Sequence, residues 1–248
     1  MKKNVIMSTI YYAAVHGNIR IMLVGAGGTG SHLLHRIGAI NQQLELITGK
    51  QLLVTVCDFD IVEPHNCGRQ LFDREYDIGL NKAKCLVETV NRIYGTSFVA
   101  IPSRADYDAY LKVGPQLVIM AVDSISARKE VLKFVNKSCS VIDIGNGDSF
   151  GQVLLQGGEN SSSRRNPRYS YVDGINLSEY FGGIAEPKKK KSSGCSAVDS
   201  LMEQNVLINA SMAMAAANLI NRMLYANEID VEAIYVNNES LEVVPKLA

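Results

Sequence analysis

The apolar run Ile19–Val24 leads straight into Gly25-Ala-Gly27-Gly28-Thr-Gly30-Ser31, and helical periodicity starts immediately afterwards. A short, uninterrupted apolar run is the pattern of a strand buried on both faces of a parallel sheet. Glycines at its end allow a tight turn and let backbone N–H groups approach a ligand's oxygens. The N-terminus of the following helix then adds a dipole that favours anions. Thr29–Ile47 carries Leu33, Leu34, Ile37, Ile40 and Leu44 on one helical face, and Gln51–Cys57 reads as a second buried strand ending in acidic residues. A strand–helix–strand unit with a right-handed crossover is the start of a doubly wound sheet.

The alternation continues. Asn81–Tyr94 is predicted as a helix with Leu86, Val87, Val90 and Ile93 on one face. Ser97–Ile101, Leu117–Val122 and Ser140–Ile144 are predicted strands, with a helix over Ser126–Val135. Phe150–Gln156 alternates and is expected in a neighbouring, possibly antiparallel, strand. Residues 157–194, rich in Gly, Ser, Asn and Arg and carrying Lys188–Lys191, are expected to form a mobile crossover loop rather than a second domain. Val198–Tyr225 reads as a long helix with Ala-rich and Met-rich faces. Val231–Val236 and Ser240–Val244 read as a closing hairpin. The fold class expected is therefore α/β: a Rossmann-like, doubly wound, mostly parallel sheet with helices on both faces and a C-terminal antiparallel hairpin, built as a single domain over residues 1–248.

Bulk properties remove several function classes. Lys plus Arg and Asp plus Glu both number 25, so no global charge draws the chain to nucleic acid or a membrane surface. No apolar run approaches the roughly 20 residues that span a bilayer. The N-terminal segment is interrupted by Ser8, Thr9, Tyr11 and Tyr12 and lacks a small-x-small cleavage site, so it reads as mature sequence. Five cysteines at wide spacings, with no C-x-x-C pair, give no support for a four-cysteine zinc site and favour a reducing, cytoplasmic setting.

Three further clusters carry chemistry. After the second strand comes Asp58-Phe-Asp60-Ile-Val-Glu-Pro-His-Asn66-Cys-Gly-Arg69-Gln70-Leu-Phe72. A carboxylate at that strand end can hold ribose hydroxyls, as in NAD enzymes. Hydride transfer, however, has no need of an Asn and an Arg just beyond it, whereas guanidinium is the natural partner of phosphate. Asp77-Ile-Gly79-Leu-Asn-Lys82-Ala83 then places a lysine at the start of the next helix, within reach of a β- or γ-phosphate. Finally, Asp123 closes the fourth strand of the pattern, where open α/β sheets place ligands, and a carboxylate there suits Mg²⁺ bound to phosphates. Arg128, in Asp123-Ser-Ile-Ser-Ala127-Arg128, is expected to serve as a structural ion-pair partner of Asp123 or the strand-two carboxylates.

Taken together, G-A-G-G-T-G-S, D-F-D-x-V-x-x-x-N-x-x-R-Q-x-F, D-I-G-x-x-K-A and D-x-x-x-A-R resemble the ThiF/MoeB/HesA family, which includes ubiquitin-activating enzymes. The resemblance covers Ile19–Ile144 firmly and is weaker from Gly194 onward. There, Ser193-Gly-Cys195, Glu203-Gln204-Asn205 and Asn209 resemble the ThiF-like branch of the plasmid-associated PRTRC gene system. The resemblance implies ATP and Mg²⁺ as cofactors, with Gly25, Gly27, Gly28 and Gly30 at the phosphates and Asp58 and Asp60 toward the ribose. Asn66, Arg69, Gln70 and Lys82 would lie along the triphosphate, with Asp123 on the metal. It also implies adenylation of a carboxylate, commonly the C-terminus of a small ubiquitin-like or sulfur-carrier protein, with release of pyrophosphate. A homodimer is implied by family habit, and Cys195 is implied as a crossover-loop nucleophile.

Three departures stand against the family pattern. Asn41–Lys50 is added material, expected to give a longer helix or an extra loop near the nucleotide. The zinc-binding C-x-x-C pairs of many relatives are missing. The arginine that homodimeric members lend to the partner's ATP has no counterpart except Arg20, inside the first strand. An ATP- or AMP-binding scaffold without turnover is therefore the alternative reading, and a dehydrogenase the remote one. Cys57, Cys85 and Cys139 fall on strand or helix faces and are expected in the core, with Cys67 filling space beside the nucleotide.

Overall fold

The computed structural model describes residues 3–8, 10–11, 16–158, 169–185 and 205–248. In chain order the strands are β1 (Lys3–Met7), β2 (Ile19–Val24), β3 (Leu52–Cys57), β4 (Val99–Ile101), β5 (Leu117–Met120), β6 (Ser140–Asn146), β7 (Phe150–Gln156), β8 (Tyr169–Tyr171), β9 (Glu228–Ile229), β10 (Val231–Asn237) and β11 (Glu242–Leu247). The helices, numbered here along the described residues, are α1 (Gly28–Thr48), α2 (Lys82–Tyr94), α3 (Tyr107–Val113), α4 (Ile125–Phe134), α5 (Leu177–Gly182) and α6 (Ile208–Tyr225).

Eight strands form one sheet in the order β11-β10-β7-β6-β5-β2-β3-β4. The five strands from β4 to β6 pair in parallel, and β7, β10 and β11 extend the sheet antiparallel. The Rossmann-like reading holds, including the antiparallel placement of Phe150–Gln156 and the closing hairpin. Successive strand residues divide between two cores, as side-chain alternation requires. Ile19, Ile21 and Leu23 face α1, α2 and α6. Met22 and Val24 face α3, α4 and α5.

α1 and α6 pack along each other on the first face. Met212, Ala213, Ala216 and Ala217 are buried there, so the Met and Ala stripe of α6 is core. Gly38 sits where a Cβ would meet the Tyr94 ring at 2.6 Å, which lets α1 and α2 approach closely.

Several details go beyond or differ from the sequence reading. The added residues of Asn41–Lys50 give the longer helix rather than an extra loop: they extend α1 at its far end, about 20–30 Å from Gly28 along a 21-residue helix, and so do not lie near the glycine loop. The segment read as a crossover loop carries β8 and α5 in its described part, with Leu177 and Phe181 buried in the second core. α6 begins at Ile208, after a turn at residues 205–207, and residues 198–204 of the expected helix lie outside the described residues. α3 went unforeseen, although Asp106 accepts the Ala109 N–H as its cap and Gly114 ends it in the left-handed conformation. A small sheet, β8-β1-β9, is also new: β1 lies parallel to β8 and antiparallel to β9.

Candidate functional site

From β2 the sheet grows outward in both directions, through β3 and β4 on one side and through β5 and β6 on the other. This is the topological switch point, and the crevice beyond the carboxyl ends of β2, β3 and β5 is where such sheets bind ligands. The glycine loop, Asp58 and Asp123 all stand at those ends.

Gly25 leaves β2 at φ +99°, and a Cβ there would meet the Ala121 carbonyl oxygen at 2.6 Å. A Cβ on Gly30 would meet the Gly25 carbonyl oxygen at 2.0 Å, so this glycine allows α1 to rise directly from the turn. Gly27 is different: no atom lies within 4 Å of an added Cβ, which leaves its face open. Gly27 is also the N-cap of α1 and supplies no side-chain cap, so the first N–H groups of the helix are available to an anion.

Asp58 clasps this loop. One carboxylate oxygen accepts the Ala26 N–H at 2.6 Å and the other accepts the Asp60 N–H at 2.8 Å. Burial raises its pKa, and these two N–H bonds oppose that shift. Asp60 is half exposed and pairs with the Lys82 ammonium at 3.3 Å, while Lys82 itself is almost buried at the start of α2. Asn81 caps α2 and donates to the Asp58 and Asp60 carbonyls, which fixes this corner to the strand end.

Asn66 is turned inward. It is buried, and its side-chain oxygen accepts the Glu63 N–H at 2.9 Å, so it shapes the loop that presents Arg69. The Arg69 carbonyl faces His32 Nε2 at 3.2 Å, and Leu71 N–H donates to Ser31, so the segment runs along the first turns of α1. Gln70 is buried on the α1–α2 side, lining a cavity of about 420 Å³ with His35, Phe72 and Arg92. His35 is half-buried, its ring edge-to-face with Tyr94 at 5.9 Å between centroids.

Asp123 is exposed beyond β5, just before Ser124 caps α4. Arg128 pairs with neither Asp123 nor the strand-two carboxylates. Its Nε donates to Asp143 Oδ1 at 2.7 Å and its Nη2 to the Ile144 carbonyl at 3.0 Å. Asp143 is fully buried on β6, and burial pushes its pKa up while Arg128 opposes the shift. Sequence reasoning missed this pair because Asp143 lies in an apolar strand with no local motif.

A second missed group lies at the N-terminus of α1. The Thr29 hydroxyl is 3.1 Å from Asn146 Oδ1 and 3.2 Å from Asn209 Oδ1. Asn209 had a signal, the compact C-terminal Asn stretch, whereas Asn146 had only its place between glycines at a strand end. Cys195 and Lys188–Lys191 lie outside the described residues. Arg20 points away from the crevice: its Nε donates to the Gly114 carbonyl at 2.7 Å, at the amino end of β2.

This chain is similar to several known proteins. SUMO-activating enzyme subunit 2 of Dictyostelium discoideum is 29% identical over 145 residues, covering 55% of this chain and 20% of that protein. Ubiquitin-activating enzyme E1 2 of Arabidopsis thaliana is 25% identical over 191 residues, covering 71% of this chain and 15% of its own length. The chain thus spans a fifth or less of these two relatives. Among solved structures, PaaA aligns with a TM-score of 0.62 at 14% identity, over 96% of this chain and 66% of that one. E. coli MccB with ATP aligns at 0.56 and 15% identity, over 96% of this chain and 65% of that one, which shows a shared fold. The profile of the ThiF family matches residues 15–154, the stretch that holds the glycine loop, Asp58, Arg69, Lys82 and Asp123, and the chain belongs to that family.

Proposed function

We propose that this protein binds Mg-ATP at the switch-point crevice and adenylates a carboxylate, releasing pyrophosphate. The observation that carries the reading is the clasp of Asp58 on the glycine loop beside the Lys82–Asp60 pair. It fixes an anion-ready helix N-terminus next to a near-buried ammonium. Family membership and the curated relatives, whose names describe activation of SUMO and ubiquitin, support it.

In this reading the open face of Gly27 and the first N–H groups of α1 receive phosphate oxygens. Asp58 has lone pairs left for ribose hydroxyls after its two N–H bonds. Lys82 exchanges part of its pairing with Asp60 for the triphosphate, and Arg69 adds charge from the loop shaped by Asn66. A carboxylate oxygen attacks the α-phosphorus, the bond from that phosphorus to the bridging oxygen breaks, and pyrophosphate leaves with the electron pair. The chain's own work is positioning and charge stabilisation. The exposed Asp123 carboxylate fits Mg²⁺, which commonly takes one or two protein carboxylates and completes its shell with phosphate and water; the ion would neutralise developing charge.

The carboxylate is proposed to be the C-terminus of a small ubiquitin-like or sulfur-carrier protein, with the chain acting as a homodimer of the PRTRC-system branch in the cytoplasm and Cys195 as acceptor. No helix among the described residues is long and apolar enough to cross a membrane. The orientation of Arg20 favours one second reading, a nucleotide-binding scaffold without turnover, because Arg20, the one arginine ahead of the glycine loop in this sequence, is engaged with the Gly114 carbonyl away from the crevice.

Calorimetric titration with Mg-ATP and with NAD, followed by pyrophosphate exchange with candidate carrier proteins, tests the proposal. Asp123→Ala and Lys82→Ala are expected to lower Mg-ATP affinity at least tenfold with little change in melting temperature. Binding of NAD alone, or variants that fold and bind Mg-ATP like wild type, would overturn it. Binding without exchange would favour the scaffold.

A further inference from the structure

We propose that Asn209, acting through Thr29 and Asn146, is a positioning residue for the phosphate-facing first turn of α1, an inference that rests on reading the glycine loop as a nucleotide site. Asn209 lies outside the stretch matched by the family profile, so the site would be incomplete without the C-terminal helix.

Three observations meet here. Asn209 is 4% exposed, in the first turn of α6. Its carboxamide lies against Gly28, where an added Cβ would fall 2.6 Å from Asn209 Cγ and Nδ2. Thr29, the next residue, places its hydroxyl between Asn209 and Asn146, at 3.2 and 3.1 Å. A hydroxyl has one proton to donate, so these two amides share it or one of them turns its own N–H toward the oxygen. Either way three elements, α1, α6 and the end of β6, join at one side chain.

The start of α6 is itself anchored. Asn205 N–H donates to the Asp148 carbonyl in the β6–β7 turn at 2.9 Å, and Asn205 Oδ1 accepts the Leu207 N–H at 2.9 Å. Apolar packing of α6 on α1 sets the distance between the helices but is not directional. The polar contacts at Asn209 are directional, and a buried carboxamide is costly to leave unpaired. They therefore fix how Gly28 and Thr29 present their N–H groups beside the open face of Gly27. A change at the start of α6 would be transmitted to the phosphate end of the crevice, whereas Asp58, where the nucleoside is expected, bonds to Ala26, Asp60 and Asn81 rather than to this group.

The test is calorimetry with Mg-ATP and with adenosine on the full chain, wild type and Asn209→Ala, with amide hydrogen exchange on the ligand-free proteins. Asn209→Ala is expected to weaken Mg-ATP at least tenfold and adenosine less than twofold. Exchange should accelerate at residues 28–31 but not at residues 40–48. Thr29→Val should do the same more mildly, and the double variant should lose less than the product of the two single losses because the contact is shared. If Asn209→Ala fails to fold, Thr29→Val and Asn146→Ala carry the test. Equal weakening of Mg-ATP and adenosine, or unchanged exchange at residues 28–31, would overturn the proposal. A wild-type protein that binds no nucleotide would refute the nucleotide reading instead, and the exchange comparison would still decide whether Asn209 positions the loop.

Discussion

Replacing Arg128 with Met removes the cationic partner of a fully buried carboxylate. Arg128 is 7% exposed and Asp143 0%, their contact is 2.7 Å, and Asp143 Oδ2 has no hydrogen-bond partner among the described residues. Breaking such a pair from one side costs about 3–5 kcal/mol, since the remaining charge stays buried without compensation. The lost bond to the Ile144 carbonyl is worth about 1–3 kcal/mol and overlaps with that figure rather than adding to it. For a chain of this size the melting temperature should fall by about 6–20 °C, taking about 2–4 °C per kcal/mol.

Asp143 can escape by taking up a proton, and burial already drives it that way. Without Arg128 its folded pKa rises further above the unfolded value of about 3.9. The ionisation penalty is then absent below the unfolded pKa, grows by about 1.36 kcal/mol per pH unit, and levels off above the folded pKa. Near pH 5 it should have shrunk to about 1.5 kcal/mol. Urea unfolding of wild type and Arg128→Met near pH 7.5 and pH 5 measures this directly. Adding Asp143→Leu should recover most of the loss at the higher pH, because no charge remains to be buried. A variant within about 1 kcal/mol of wild type near pH 7.5, or one equally destabilised at both pH values, would refute the argument.

Other outcomes follow from the same physics. Burial pushes the Cys57 and Cys139 thiols up to about 12 and that of Cys85 up to about 11, while Cys67 is partly exposed. Among these four, iodoacetamide at mildly alkaline pH should label Cys67 first in the native protein, as read by mass spectrometry; prior labelling of Cys57 or Cys139 would contradict their burial. Asp230 is held below the usual carboxylate range by its bond to Lys3, with Arg222 adding to the effect. That contribution is present above the unfolded pKa of about 3.9 and is lost as pH falls through the lower folded value. Asp230→Asn should therefore lower stability at neutral pH and flatten the acid limb of the stability profile below about pH 4, and an unchanged acid limb would count against the pairing.

Much of the candidate site was legible because its motifs are local. Gly25, Asp58, Lys82 and Asp123 each sit at the end of a strand or the start of a helix that its own neighbours specify. Their roles were less legible. Asn66 looked like a phosphate contact, yet its side chain supports its own loop through Glu63. Gln70 looked similar and is buried beside His35, on the cavity between the loop and α1–α2. A motif gives spacing along the chain, whereas the direction of a side chain depends on which packed face its backbone turns toward.

Legible in the chain alone were the strand–glycine turn–helix unit, the parallel character of the first half and the antiparallel close, because those follow from side-chain periodicity and from φ values only glycine adopts easily. Tertiary structure alone decided which partners meet. Arg128 finds Asp143, 15 residues away, rather than Asp123, and Asn209 reaches Thr29 across 180 residues. It also decided that β1 joins β8 and β9, and that the added residues extend α1 away from the crevice. These choices depend on the order of strands in the sheet and on the distances between packed helices, which arise only when the whole chain is folded and which no local pattern encodes.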